Sequence, residues 1–165
     1  MPRELFNRFK PSTRVISNYP LHYAARVYVE TVRGCSNYNR ARVGLVGGLC
    51  SYCGECTQGS LPDRYYCPIG IPPGCGYCSV PSLFGPPKSR EKTEIELEIA
   101  QLLDRGVSRI VLSAPCFLDY GRDYLVDPDP LTDPSYPEPN YSEIDDLLSS
   151  LYSLEKLKQG KASVL

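Results

Sequence analysis

The alternation of apolar and polar residues predicts two strands, separated by a long irregular segment and a helix. Segment 24–32 (AARVYVETV) is rich in β-branched and aromatic residues and stops before Gly34, which is typical of a buried strand. Segment 107–114 (VSRIVLSA) has the same character. A loop crowded with glycine, proline and cysteine occupies about 33–88, and a helix follows over about 89–105.

The predicted helix is amphipathic. Its apolar residues form one stripe: Ile95, Ile99, Leu102 and Leu103. Ser89 is expected to cap the first turn. The glutamates are expected to lie on a solvated face: Glu94, Glu96 and Glu98. A strand, a helix and a second strand in this order predict a parallel unit and therefore an α/β fold.

The remaining segments divide the chain into an extension and a core. Residues 1–23 are mixed and contain prolines, which predicts an N-terminal linker or extension to a core over 24–165. Five prolines predict a stiff extended loop over 127–139. A second amphipathic helix is predicted over about 142–159, and 162–165 is compatible with the start of a third strand.

Charge and composition exclude some partners. The formal net charge of −1 gives no bulk electrostatic reason to bind nucleic acid or an anionic membrane. Neither an N-terminal apolar signal region nor an apolar run of about 20 residues is present in the sequence. We therefore expect a cytoplasmic protein without a membrane partner. In a reducing cytosol, its eight cysteines indicate metal or redox chemistry rather than disulfides.

Most of the cysteines are clustered. Seven lie between the first strand and the helix: Cys35, Cys50, Cys53, Cys56, Cys67, Cys75 and Cys78. A short turn brings both sulfurs of a C-x2-C pair to one side, and thiolates favour zinc or iron–sulfur clusters. The eighth, Cys116, follows the second strand and is expected to be a small buried residue.

The segment 74–81 (GCGYCSVP), followed by Gly85 and an acidic amphipathic helix, resembles the cluster loop of radical S-adenosylmethionine enzymes. In that family two residues separate the last two cysteines, and the second of them is aromatic, as Tyr77 is here. Residues 112–123 (LSAPCFLDYGRD) also resemble the second-strand region of methylthiotransferases and cobalamin-linked members. The resemblance extends over roughly 27–165.

The resemblance implies a fold, cofactors and partners. The fold is an incomplete (βα) parallel barrel, whose cluster loop leaves the C-terminal end of the first strand. Three cysteines hold a 4Fe–4S cluster, and the open iron binds the amino and carboxylate groups of S-adenosylmethionine. An electron from the cluster cleaves the sulfonium, and the 5′-deoxyadenosyl radical takes hydrogen from an unknown substrate. A reductant of the flavodoxin or ferredoxin type and a cobalamin domain outside this chain are further implied partners.

The spacing departs from the family's commonest C-x3-C-x2-C pattern, which leaves the first ligand open. Cys35 lies where the family's first cysteine usually does and would join Cys75 and Cys78. Cys67 is the alternative first ligand. If Cys35 is taken, a ferredoxin-like C-x2-C-x2-C-x10-C-P set remains for an auxiliary cluster or zinc: Cys50, Cys53, Cys56 and Cys67.

Other interpretations remain open at this stage. Zinc ribbons accept four thiolates at similar spacings, and a ferredoxin-like electron carrier would also explain the cysteines. Tyr77 either packs against protein or, as the family implies, contacts the adenine of the cofactor. The loop arginines either face an anionic substrate or are merely solvated: Arg33, Arg40 and Arg42. The sequence assigns no acid–base catalytic residue.

Overall fold

The computed structural model describes residues 3–8, 10–40 and 53–165. The described strands are β1 (Arg26–Glu30), β2 (Val32–Arg33), β3 (Lys88–Ser89), β4 (Arg109–Ser113) and β5 (Ser163–Val164). The described α-helices are α1 (Arg3–Arg8), α2 (Glu55–Gln58), α3 (Leu61–Tyr65), α4 (Val80–Phe84), α5 (Lys92–Asp104), α6 (Tyr141–Tyr152) and α7 (Glu155–Lys158).

The described strands form two small sheets. In one sheet β1, β4 and β5 lie parallel in that order, with Val27 opposite Ile110. In the other, β2 pairs with β3 antiparallel. The parallel pairing predicted for the two long strands is therefore observed, and the predicted third strand is the short β5. Within the described residues the sheet is open, and the barrel remains a prediction.

The core lies between helices α5 and α6 and one face of the parallel sheet. The stripe predicted for α5 is buried, with Ile95 and Ile99 fully covered. From α6, Leu147 and Leu151 contribute fully buried side chains to the same cluster. Each such side chain contributes about 1.5–3 kcal/mol relative to its exposed state. Burial of these helix side chains against the sheet therefore stabilises this unit.

The other face of the sheet is less covered. Tyr28 on β1 is 63% exposed, whereas its neighbour Val29 is fully buried. The strand expected to be buried over 24–32 is therefore covered mainly on one face. Helix packing covers only one side of β1, and the segment divides at Thr31 into β1 and β2 because Val32 pairs with β3.

Helix α5 begins later than predicted, at Lys92, with Glu91 at the N-cap. Ser89 does not cap it, because this residue belongs to β3 and donates its hydroxyl to Asp123 at 2.5 Å. Glu98 is not solvated either. Its side chain is 4% exposed and lies 2.5 Å from a guanidinium nitrogen of the buried Arg90.

The second predicted helix is divided in two. Asn140 caps α6 by accepting a hydrogen bond from the main-chain N–H of Glu143 at 3.4 Å. The chain becomes extended at Leu154, between α6 and α7. Leu157 of α7 is then buried in the core.

The described part of segment 1–23 contacts the rest of the fold near both of its ends. Its assignment as a linker or extension stays a prediction. Phe6 is 3% exposed. The guanidinium of Arg3 donates to Asp123 at 2.6 Å, and His22 Nε2 lies 2.9 Å from the carbonyl oxygen of Arg105. These contacts hold the segment at both ends.

The described helices were compared with the length and hydropathy of a membrane span. None of them has the combination of length and apolar composition that a transmembrane helix requires.

Candidate metal centre

A tight turn carries Cys35 away from the end of β2. Gly34 has φ +94°, and a Cβ atom at this position would lie 2.4 Å from the carbonyl oxygen of Pro86. Only glycine fits this approach without displacement of the backbone. The Cys35 N–H then donates to the carbonyl of Gly85 at 3.2 Å. The first cysteine is thereby fixed against the segment that follows α4.

A buried carboxylate holds the same turn from the other side. Asp119 is fully buried and accepts hydrogen bonds from the N–H and the hydroxyl of Ser36, at 3.1 and 2.9 Å. Arg122 compensates its charge at 2.7 Å. Since Asp119 follows β4 and Ser36 follows β2, this network fixes the position of Cys35 relative to the C-terminal end of the parallel sheet.

A second buried carboxylate, Asp123, also accepts hydrogen bonds from both the N–H and the hydroxyl of one serine. Asp123 accepts from the N–H and the hydroxyl of Ser89, and the Ser89 hydroxyl accepts from the N–H of Gly121 at 2.8 Å. Sequence reasoning singled out neither aspartate. The available signal was their place in the segment 112–123, which contributed to the family resemblance.

Asn37 brings together two of the predicted ligands. Its main-chain N–H points to the Cys35 sulfur at 3.5 Å, and its side-chain Nδ2 donates to the Cys75 sulfur at 3.1 Å. The first-strand cysteine and the GCGYC motif therefore meet at one residue. Sequence reasoning missed Asn37, because an asparagine two residues after a cysteine has no distinctive spacing.

Burial and charge act on two thiols at this end of the sheet. Burial raises the pKa of the Cys35 thiol, the N–H of Asn37 opposes this rise, and the Asp119 carboxylate adds to it. Burial also raises the pKa of the Cys116 thiol, and Asp119 adds to the rise. Cys116 is partly exposed rather than a buried core residue. A raised pKa favours the protonated form of each thiol, whereas a metal ligand must be deprotonated.

The other two residues expected at this centre, Tyr77 and Cys78, differ in exposure. Tyr77 is 90% exposed within the described residues, and both interpretations of its role stay predictions. Cys78 is partly exposed and follows it directly. At Gly74, with φ +105°, a Cβ atom would lie 2.9 Å from Pro81. A glycine is therefore required at the base of this motif as well.

The auxiliary cysteines lie in a segment organised by two arginines. Arg64 donates to the carbonyls of Gly59 and Cys56, at 3.0 and 3.4 Å, and pairs with Asp133 at 2.9 Å. The Cys67 sulfur accepts from the N–H of Ile71 at 3.4 Å. Cys53 is exposed, and Cys50 lies outside the described residues.

Arg40 also donates hydrogen bonds to main-chain carbonyls of this segment. It donates to the carbonyls of Ile71 and Arg64, both at 2.8 Å, and of Tyr65 at 3.0 Å. Arg33 pairs with Glu30 through two hydrogen bonds. Neither arginine is merely solvated, and Arg42 lies outside the described residues.

The donor chemistry fits an iron–sulfur cluster in part. The described cysteines are all free thiols, and three accept N–H hydrogen bonds: Cys35, Cys67 and Cys75. Such bonds are typical around cluster thiolates. Across residues 3–8, 10–40 and 53–165, however, no three metal-ligating side chains form a complete metal-binding group. The described pair at Asn37 is thus an incomplete ligand set, to which Cys78 is the predicted addition.

Comparison with known proteins gives two kinds of similarity. The uncharacterized protein MK0932 of Methanopyrus kandleri is 48% identical over 149 residues, or 89% of this chain. The uncharacterized protein MJ1620 of Methanocaldococcus jannaschii is 46% identical over 157 residues, or 92%. The chain spans 28% of the length of each.

A shorter match is to an enzyme with a named activity. The ribosomal protein uS12 methylthiotransferase RimO of Petrotoga mobilis is 36% identical over 73 residues, which cover 42% of this chain and 17% of that enzyme. No protein-family model matches the chain, and no solved structure matches it. The similarity to an enzyme is therefore partial.

Proposed function

We propose that these residues form the cluster-binding part of a radical S-adenosylmethionine enzyme. The observation that carries the proposal is the contact of Asn37 with both Cys35 and Cys75. It supports Cys35, rather than Cys67, as the first ligand, because Asn37 links the Cys35 sulfur to the Cys75 sulfur. The partial similarity to a methylthiotransferase supports the same family, since methylthiotransferases are among the members that the sequence resembles.

In this proposal Cys35, Cys75 and Cys78 hold a 4Fe–4S cluster. When bound, the cluster supplies one electron for cleavage of the S-adenosylmethionine sulfonium into methionine and a 5′-deoxyadenosyl radical. The protein's part is to fix the ligands: Gly34 permits the turn, and Asp119 holds it through Ser36. The exposed Tyr77 is available to the adenine of the cofactor. A flavodoxin or ferredoxin provides the electron.

The second cysteine set would hold an auxiliary cluster. Its members are Cys50, Cys53, Cys56 and Cys67. Arg40 and Arg64 bind main-chain carbonyls around this set, and its three described cysteines are free thiols. Zinc at this set is the competing assignment. The substrate, a cobalamin partner and the cytoplasmic location stay predictions from the sequence.

The proposal is tested by anaerobic reconstitution with iron and sulfide. After reduction with S-adenosylmethionine present, we expect 5′-deoxyadenosine in the mass spectrum. Cys35→Ala and Cys78→Ala should abolish it, whereas Cys56→Ala should lose only the auxiliary iron. Cys116→Ala is the matched control and should keep both.

Three outcomes would overturn parts of the proposal. Stoichiometric zinc without sulfide would indicate zinc ribbons. A cluster that reduces normally but binds no S-adenosylmethionine would indicate an electron carrier. If Cys67→Ala abolishes the cleavage and Cys35→Ala does not, the assignment of the first ligand is wrong.

A further inference from the structure

Both polar atoms of the Asn37 side chain, Oδ1 and Nδ2, form hydrogen bonds. Its Oδ1 accepts from the N–H of Asn39 at 3.1 Å, while Nδ2 faces the Cys75 sulfur at 3.1 Å. An amide oxygen only accepts hydrogen bonds, so the N–H of Asn39 fixes which way the amide points. The atom that faces the Cys75 sulfur is therefore the amide nitrogen, which donates a hydrogen bond to it.

The two cysteines that Asn37 contacts differ in how firmly hydrogen bonds fix their main chain. Cys35 is anchored through its own N–H to Gly85, and its neighbour Ser36 is bonded to the buried Asp119. Cys75 is exposed, and the nearest main-chain bond joins the N–H of Gly74 to the carbonyl of Asn39 at 3.0 Å. Asn37 thus connects an anchored thiol to an exposed one.

Hydrogen bonds to cluster sulfurs help to set the reduction potential of an iron–sulfur cluster. A donor stabilises the sulfur more when the cluster carries the additional negative charge of the reduced state. We infer that Asn37 is a positioning residue, which orients Cys75 and raises the reduction potential of the cluster held by Cys35, Cys75 and Cys78. This inference rests on the proposed function.

The test is a redox titration of the reconstituted chain without S-adenosylmethionine. A Cys56→Ala background removes the auxiliary centre, so that one cluster titrates. Asn37→Ala removes the bond to Cys75 and keeps the main-chain bond to Cys35. We expect its midpoint potential to be more negative than that of the parent. Asn37→Gln keeps an amide donor on a longer arm and should recover part of the shift.

Asn39→Ala is the matched control. It removes an exposed asparagine two positions away and keeps the main-chain N–H and carbonyl that bind Asn37 and Gly74. Its potential should equal that of the parent. The potential is read from loaded protein alone, so incomplete loading of a variant does not imitate the effect.

Failure of the inference and failure of the proposed function look different. If the parent assembles a cluster and Asn37→Ala leaves its potential unchanged, the role of Asn37 is refuted while the proposed function stands. If Asn39→Ala shifts the potential equally, the effect is not specific to the donor, and the inference is wrong. If the unsubstituted chain takes up neither iron nor sulfide, the proposed function falls and the inference falls with it.

Discussion

The helix-and-sheet core and the cysteine segment are stabilised in opposite ways. In the core, side chains such as Ile99 and Leu147 are fully buried. Across residues 34–40 and 53–87, Tyr38 is the one large hydrophobic side chain that is buried. Hydrogen bonds from Asn37, Arg40 and Arg64 connect the cysteine segment instead. Directional bonds specify a shape but contribute only about 0.5–1.5 kcal/mol each, so a metal would add substantially to the stability of this segment.

The largest effect is expected where the core itself contains charge. Glu98→Ala leaves the guanidinium of Arg90 buried, at 2% exposure, without its carboxylate partner. Removal of one member of a buried pair costs about 3–5 kcal/mol. We expect a loss of this size in the free energy of unfolding, measured by urea denaturation of the metal-free chain.

Asp104→Ala is the control for this substitution, because Asp104 ends the same helix but its side chain is 84% exposed. It should change the free energy of unfolding by less than about 0.5 kcal/mol. Equal effects of the two substitutions would show that the Arg90–Glu98 pair does not stabilise the core.

The junction between the two regions is tested by two glycines with positive φ. Gly34→Ala puts a methyl group against the carbonyl of Pro86, whereas nothing lies within 4 Å at Gly70. Both variants adopt a conformation that costs an alanine about 1–2 kcal/mol. The steric clash should add about 1–3 kcal/mol for Gly34→Ala alone. Urea denaturation of both variants measures the difference, and equal stabilities would refute the tight turn.

Removal of metal should separate the two regions. Chelation of the loaded chain should speed amide hydrogen exchange in residues 53–78 by at least about tenfold, or about 1.4 kcal/mol of local opening. Exchange in α5 should stay the same, because its protection comes from apolar burial. If chelation unfolds α5 as well, the regions form one cooperative unit.

The smallest effect is expected for Arg40→Lys. A lysine keeps the charge but cannot reach the carbonyls of Ile71, Arg64 and Tyr65 at once. Amide exchange in residues 64–71 should rise about threefold, with under about 0.5 kcal/mol of change in global unfolding. Arg14→Lys, at an exposed position, is the control and should leave this exchange unchanged.

The spacing of apolar residues along the chain predicted the buried face of α5 and the parallel pairing of β1 with β4. The stripe of α5 follows from spacings of three and four residues, and the parallel pairing follows from the order of strand, helix and strand. Glu98 was missed although it lies three residues after Ile95 and four before Leu102, on the same side of the helix. Its charge suggested solvent, and its partner Arg90 lies outside the helix.

Contacts between distant residues were not predictable from one sequence. Ser89 has the chemistry of a helix cap, and only the folded chain shows that Asp123 takes its hydroxyl instead. Cysteine spacing predicted thiolate chemistry, but nothing in the spacing indicated that Asn37 contacts two of the thiols. The burial of Asp119 likewise depends on the packing of the segment after β4 against the turn at Ser36.

The exposed position of Tyr77 is suitable for a fluorescent probe of the cysteine segment. The chain contains no tryptophan, so Tyr77→Trp would introduce a single indole. At 90% exposure, the larger ring displaces little of the described protein. Its emission, excited at wavelengths where tyrosine does not absorb, would come from one site next to Cys78. Quenching of that emission would follow the loading of the neighbouring thiol in real time, with no signal from the core.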